Sequence, residues 1–199
     1  RSVYGMQGMH ADGAKATGFK SMVVAQFTAV SLQKDDRAFV KYDKTNRRYN
    51  GIVFSCKKKE GDKATPLGKL RLISVYYRKD KSVRPILRDK NIKLKAISRG
   101  CGWCDDEKSH FYNKYFKIGK KGTSKNVSFE RLWRDDEAYD LIIETSYNTK
   151  PIIKGKGSAI FIHCSFSDLR NTAGCIALNK KDLFFLIKKL HKEVSLLIK

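Results

Sequence analysis

A chain of 199 residues with 41% hydrophobic content is long enough to bury a core of its own and reads as one domain. No apolar run reaches the roughly 18 residues that a membrane-spanning helix needs, so no such span is expected. The 42 basic residues against 20 acidic ones give a net charge of +22, a field that attracts polyanions and anionic surfaces. Its lysines are scattered along the whole chain, and the arginine–aromatic interleaving of a nucleic-acid groove is missing, so nucleic acid is not an expected partner. The charge equally suits an acidic wall polymer or a surface that lysine simply solvates.

Residues 1–21 carry four glycines and no period of 2 or 3.6, and read as a linker, tag remnant or pro-segment. No secretory signal is visible, and the chain starts at Arg1 rather than at a methionine. From residue 22 to 199 the texture is that of a single domain. Residues 23–32, 38–42 and 51–56 suit strands. Thr65-Pro66-Leu67-Gly68 reads as a turn, and residues 70–77 as a longer strand. Residues 99–122 are rich in loop formers, and Asp105 and Asp106 there suit turn caps better than an acid–base pair.

Residues 141–145 form a short β-rich run. Residues 158–164 follow as a strand on which Ala159, Phe161 and His163 share one face, leaving Cys164 to face away and pack. A helix closes the chain. Asn179 is its N-cap, with Asp182 three residues on, and Leu183, Phe184, Ile187, Leu190, Val194 and Leu197 form its apolar stripe. The fold class is mostly β, with a C-terminal α-helix.

The five cysteines are Cys56, Cys101, Cys104, Cys164 and Cys175, and an odd count leaves at least one free thiol. Cys101-Gly102-Trp103-Cys104 lacks the second ligand pair that zinc needs, so no metal and no other cofactor is expected. Those two cysteines are read either as a disulfide or as two free thiols. Cys175 is different. It follows Ala173-Gly174, leads into an apolar run, and stands shortly after His163, which ends another. A cysteine brought within reach of a histidine becomes a thiolate nucleophile with a built-in base. A tight turn at Gly174 and Cys175 would aim backbone N–H groups at a developing oxyanion. A Cys and a His in apolar surroundings are also common as packed core residues.

Gly157-Ser158-Ala159-Ile160-Phe161-Ile162-His163 with Thr172-Ala173-Gly174-Cys175-Ile176-Ala177-Leu178 resembles the catalytic signature of the L,D-transpeptidase catalytic-domain (YkuD-type) family. The likeness is to the branch reading Gly-Ser-Ala-Ile-Phe-x-His…Thr-x-Gly-Cys-x-Ala-Leu. It extends upstream. Glu60-Gly61-Asp62-Lys63-Ala64-Thr65-Pro66-Leu67-Gly68 is similar to that branch's Glu-Gly-Asp-Gly-Ala-Thr-Pro-x-Gly. Trp103-Cys104-Asp105-Asp106 with Tyr112-Asn113, Leu132-Trp133-Arg134-Asp135-Asp136 with Tyr139-Asp140-Leu141, and Tyr147-Asn148 fit further segments in the same order.

The resemblance implies a β-rich mixed-sheet fold and a peptidoglycan stem peptide as substrate. It makes Cys175 the nucleophile that releases D-alanine and leaves a thioester, His163 the base and acid, and Gly174 and Cys175 the oxyanion hole. It implies Trp103, Tyr112, Arg134 and Thr172 as substrate-binding residues, carbapenem-type inhibitors as acylating ligands, a monomer, and a place in the periplasm or cell envelope. Many family members carry a histidine before the Gly-Cys and an arginine two residues after it. Here Ala173 and Ala177 stand in those places, so the substrate carboxylate falls to Arg134 or Arg170. An L,D-carboxypeptidase on the same scaffold, and a non-enzymatic basic protein that binds nucleic acid or wall polymer, remain as alternatives.

Overall fold

The computed structural model describes residues 57–119, 127–165 and 172–198, with the backbone of five short strands ahead of them. Cys56 and Arg170 lie outside the described residues. The early strands are β1 (Tyr4–Gly5), β2 (Val23–Val24), β3 (Ala29–Leu32), β4 (Arg37–Lys41) and β5 (Val53–Ser55). β1 falls in the stretch read as a linker and pairs with β3. After β6 (Ala64–Pro66) comes the long strand β7 (Gly68–Arg78), then β8 (Lys93–Ile97). β9 (Cys101–Cys104), β10 (Tyr115–Lys117) and β11 (Phe129–Arg131) form a small antiparallel sheet in the order β10-β9-β11. β12 (Leu141–Thr145), β13 (Phe161–Cys164) and β14 (Ile176–Leu178) precede the helix α1 (Lys180–Lys189) and β15 (Ser195–Ile198). The main sheet runs β1-β3-β4-β15-β7-β12-β13-β14-β2, with β8 also on β7. The chain is mostly β, and its one helix among the described residues lies near the C-terminus.

The period of two decides which face each side chain serves. On β12, β13 and β14, Leu141, Ile143, Ile162, Cys164, Ile176 and Leu178 point to one core, which Leu183, Leu186, Ile187 and Leu190 from α1 close. Ile142, Phe161 and Cys175 point to a second core on the opposite face, with Tyr76 from β7 and Trp103 from β9. The small sheet therefore covers the face that α1 leaves open, and the apolar burial on both sides fixes the register. Cys164 packs in the helix-side core, away from Cys175, as strand alternation requires.

Several boundaries differ from the sequence pattern. β13 begins at Phe161, because Gly157 and Ala159 hold φ of 95° and 53° and cannot extend the strand. The helix ends at Lys189, and Leu190 as its C-cap returns to extended backbone, so Val194 and Leu197 belong to the turn and strand after it. That last strand inserts between β4 and β7. Asn179 does cap the helix, accepting from the Asp182 N–H at 2.9 Å.

Candidate active site

β13 and β14 are parallel neighbours, with Ile162 opposite Ile176 and His163 opposite Ala177. Cys175 thus stands one step before β14, alongside Phe161, and the Phe161 N–H points at its sulfur at 3.4 Å. Cys175 and His163 line one cavity of about 510 Å³. Both are almost fully enclosed by protein, at 8% and 2% exposure.

The turn that delivers Cys175 is over-determined. Thr172 Oγ1 donates to the Cys175 carbonyl at 2.7 Å. Gly174 sits at φ 113°, and a Cβ there would meet the Ala64 carbonyl oxygen at 2.5 Å. At Gly68, by contrast, a Cβ would meet nothing within 4 Å. Asp62 sets the Ala64 side of this contact. It accepts from the Lys59 and Ala64 N–H groups at 2.8 and 2.9 Å, and from the buried Lys58 ammonium. Lys63 is held at φ 55°, a left-handed position at which the resembled family has glycine.

The sulfur rests on a carbonyl: Cys175 Sγ–H donates to Ala159 O at 3.0 Å. Ala159 can present that oxygen because it is left-handed and its N–H is anchored on Asn113 Oδ1 at 3.1 Å. Burial pushes the Cys175 thiol up to about 12, and the negative charge of Glu130 adds to the rise. His163 is pushed down to about 4 by burial, with the positive charge of Arg134 lowering it further. The resting pair is therefore a thiol and a neutral imidazole. His163 Nδ1 lies 2.7 Å from Cys164 O. A carbonyl only accepts, so Nδ1 carries the hydrogen and Nε2 is the basic nitrogen. Tyr139 packs edge-on against the ring at 5.3 Å and fixes its plane.

Of the substrate-binding residues expected from sequence, Arg134 and Thr172 line the cavity, and Trp103 and Tyr112 do not. Arg134 donates from Nε and Nη2 to Asp136 at 2.9 and 2.5 Å, and lies over the Tyr139 ring. Trp103 is 3% exposed; it stacks edge-on against Phe161 and donates to Asn113 Oδ1 at 2.9 Å. Tyr112 is 1% exposed, donates to Glu60 at 2.5 Å and accepts from the Gly157 N–H at 3.1 Å. Both stand behind the wall and hold the segment that leads into β13. Asn113 completes this bracket, donating to the carbonyls of Tyr147 and Asn148 at 3.3 and 2.8 Å.

The cavity also takes in Lys58, Asp105, Glu130, Tyr139 and Ser158. Asp106 does cap a turn, accepting from the Lys108 N–H at 2.9 Å, whereas Asp105 beside it faces the cavity. Glu130 was not legible as a site residue; its only signal is its place next to the Leu132-Trp133-Arg134 segment. Lys58 is hidden in a run of three lysines that reads as solvated surface. All four cysteines among the described residues are free, so Cys101 and Cys104 are two thiols and not a disulfide.

None of the curated proteins and none of the solved structures compared with the chain matches it. The model of one family, the L,D-transpeptidase catalytic domain (YkuD), matches residues 27–195. That match runs from before β3 into β15 and contains the whole cavity wall; the chain belongs to the L,D-transpeptidase catalytic-domain family.

Proposed function

We propose that this chain is a cysteine-dependent transpeptidase of peptidoglycan, with Cys175 as nucleophile and His163 as base. Membership of the family supports action on peptidoglycan at the cell envelope. The observation that carries the assignment is the shared cavity. Cys175 and His163 open onto it from adjacent parallel strands, and the imidazole tautomer leaves Nε2 as base. Cys175 rests as a thiol, so activation requires its sulfur to leave Ala159 O and pass its proton to His163 as the substrate carbonyl arrives. The sulfur then attacks the carbonyl, and the developing oxyanion is met by backbone N–H groups of Gly174 and Cys175. D-alanine leaves with the proton from His163, and an amine of a second stem attacks the thioester. Arg134 and Thr172 at the cavity wall hold the stem, Arg134 through Nη1. Trp103 and Tyr112 serve binding from behind, by bracing the wall.

The test is turnover of a tetrapeptide stem. Wild type releases D-alanine, and Cys175→Ala folds and releases none. A carbapenem adds one drug mass on Cys175 and none on Cys101, Cys104 or Cys164. Release of D-alanine by Cys175→Ala would overturn the assignment. In this reading the protein acts as a monomer in the periplasm or cell envelope.

A further inference from the structure

The molecule is strongly basic, yet its cavity wall sets Glu60, Asp105 and Glu130 against Lys58, Lys63 and Arg134. Arg134 is paired with Asp136, and Lys58 with Asp62. Asp105 and Glu130 both line the cavity, and Glu130 is raised by burial, with the charge of Asp105 adding to the rise. One oxygen of Glu130 accepts the Tyr139 O–H. Asp105 Oδ1 is buried with no hydrogen-bond partner. So is the hydroxyl of Ser158, a residue 8% exposed that lines the same cavity. Buried polar atoms are nearly always satisfied, so two orphans on one wall point to a ligand that supplies donors.

These groups are held in one neighbourhood. The Asn113 N–H donates to Cys104 O at 2.8 Å, next to Asp105, and its side chain accepts from the Ala159 N–H at 3.1 Å, next to Ser158. β11 pairs with β9 so that Glu130 stands opposite Trp103. A metal ion is a poor fit, because among the described residues no three His, Cys, Asp or Glu side chains gather as ligands.

We propose that Asp105, Glu130 and Ser158 form the seat for the primary ammonium of the acceptor, beside Cys175, and so select an amine over water at the thioester. The seated ammonium gives one proton to His163 Nε2, the free amine attacks, the C–S bond breaks, and the second proton lost by the nitrogen restores the Cys175 thiol. The proposal rests on the transpeptidase reading above. An alkylammonium carries three N–H donors, and the seat offers an acceptor on each of three residues. Two of those contacts are charge-assisted, which a neutral nucleophile cannot reproduce.

The first measurement needs no chemistry. Propylammonium chloride is titrated into the Cys175→Ala protein and followed by amide NMR, with n-butanol as the neutral isostere. Saturable shifts are expected at the Ser158 and Ala159 amides for the ammonium and not for the alcohol. Asp105→Asn and Glu130→Gln each weaken binding at least about tenfold, the loss of one charge-assisted contact. If Glu130→Gln fails to fold, Asp105→Asn, at a partly exposed residue, carries the test. Non-saturable binding, equal binding of the alcohol, or no effect of Asp105→Asn overturns the seat.

The second measurement uses the full chain acylated at Cys175. Propylamine accelerates release in the wild type, and Asp105→Asn loses that acceleration, read as the ratio of release rates with and without propylamine from the same acylated protein. Unchanged acceleration in Asp105→Asn also overturns the seat. A protein that cannot be acylated at Cys175 defeats the transpeptidase reading, while the titration still decides the ammonium seat by itself.

Discussion

Two cysteines in the same core are treated in opposite ways. Cys175 and Cys101 both belong to the cluster built on Trp103 and Phe161, and both are buried. At Cys175 the sulfur gives its proton to a carbonyl and the thiol is pushed up to about 12. At Cys101 the sulfur lies 3.2 Å from the Ser98 N–H, 3.1 Å from the Tyr115 hydroxyl and 3.2 Å from the Lys117 ammonium. Burial would raise that thiol too, but these donors together hold it below its ordinary value. The cavity opens on the first cysteine and not on the second. If Cys175 is the nucleophile, as proposed, then access to the cavity and the His163 that shares it mark it, and thiolate character does not. Selective labelling of a resting thiolate at neutral pH, the usual sign of a catalytic cysteine, is not expected of Cys175. A group near 12 is ionised in only about one molecule in 10⁵ at pH 7.

Turnover separates the two sites most widely. Cys175→Ala should lower it by at least about 10⁴-fold, because no other group in the cavity is a comparable nucleophile. Cys101→Ala should leave the rate within about twofold of wild type and lower the melting temperature, because it strips the sulfur from a bonded cluster. Equal losses of D-alanine release in both variants would erase the distinction.

The turn under Cys175 should break next. Gly174→Ala forces a Cβ onto a backbone oxygen at a left-handed φ and should cost about 3 kcal/mol or more, read as a urea midpoint shift. Gly68→Ala has a similar φ of 120° and open space, so only the backbone strain of about 1–2 kcal/mol applies. Matching midpoints would mean that the Ala64 contact does not hold the turn.

His163 gives a pH signature of similar size. Its folded value is about 4 against 6.5 for the free side chain, so between these pH values the unfolded chain binds more protons. Stability should fall as pH drops from 6.5 toward 4, by about 3 kcal/mol in all. His163→Gln should flatten that slope in urea melts. An unchanged slope would show that the imidazole is not buried as a neutral group.

The legible parts were those where one residue type has one physical use. Residues 141–145 coincide with β12, since a short apolar run bounded by turns has few other fates. Asn179 and Asp182 announced the start of the helix, and Cys164 its own orientation. The helix end was overrun because Val194 and Leu197 continue its apolar period while belonging to the turn and to β15 that follow. β9 and β10 lie in the 99–122 stretch read as loop-rich, their short runs broken by Gly102, charged residues and turns that only tertiary pairing overrides. At the site, Cys175 and His163 stood out by type, and Arg134 and Thr172 by motif. Glu130 and Lys58 carried no such mark, because a charge reads as surface until folding buries it. Trp103 and Tyr112 were attributed to the cavity, when their bonds to Asn113 and Glu60 make them its supports.

The smallest expected effect tests the other half of the comparison. Among the described residues the Lys117 ammonium is the full positive charge that contacts the Cys101 sulfur, and the Tyr115 hydroxyl and that thiol together raise the lysine. Lys117→Met keeps the length of the side chain and removes the charge, so the Cys101 thiol should move back up toward its ordinary value. The thiolate absorbs in the ultraviolet, so a pH titration of the folded chain reads it directly. The first thiol to ionise should disappear in Cys101→Ala, persist in Cys175→Ala and move to higher pH in Lys117→Met. Stability follows the same sign. A thiol lowered in the folded state binds fewer protons there than in the unfolded chain, so stability rises as pH climbs through the folded value. That rise should be shallower in Lys117→Met. If Cys175 titrates first instead, the donors around Cys101 do not outweigh its burial, and the contrast between the two sulfurs is reversed.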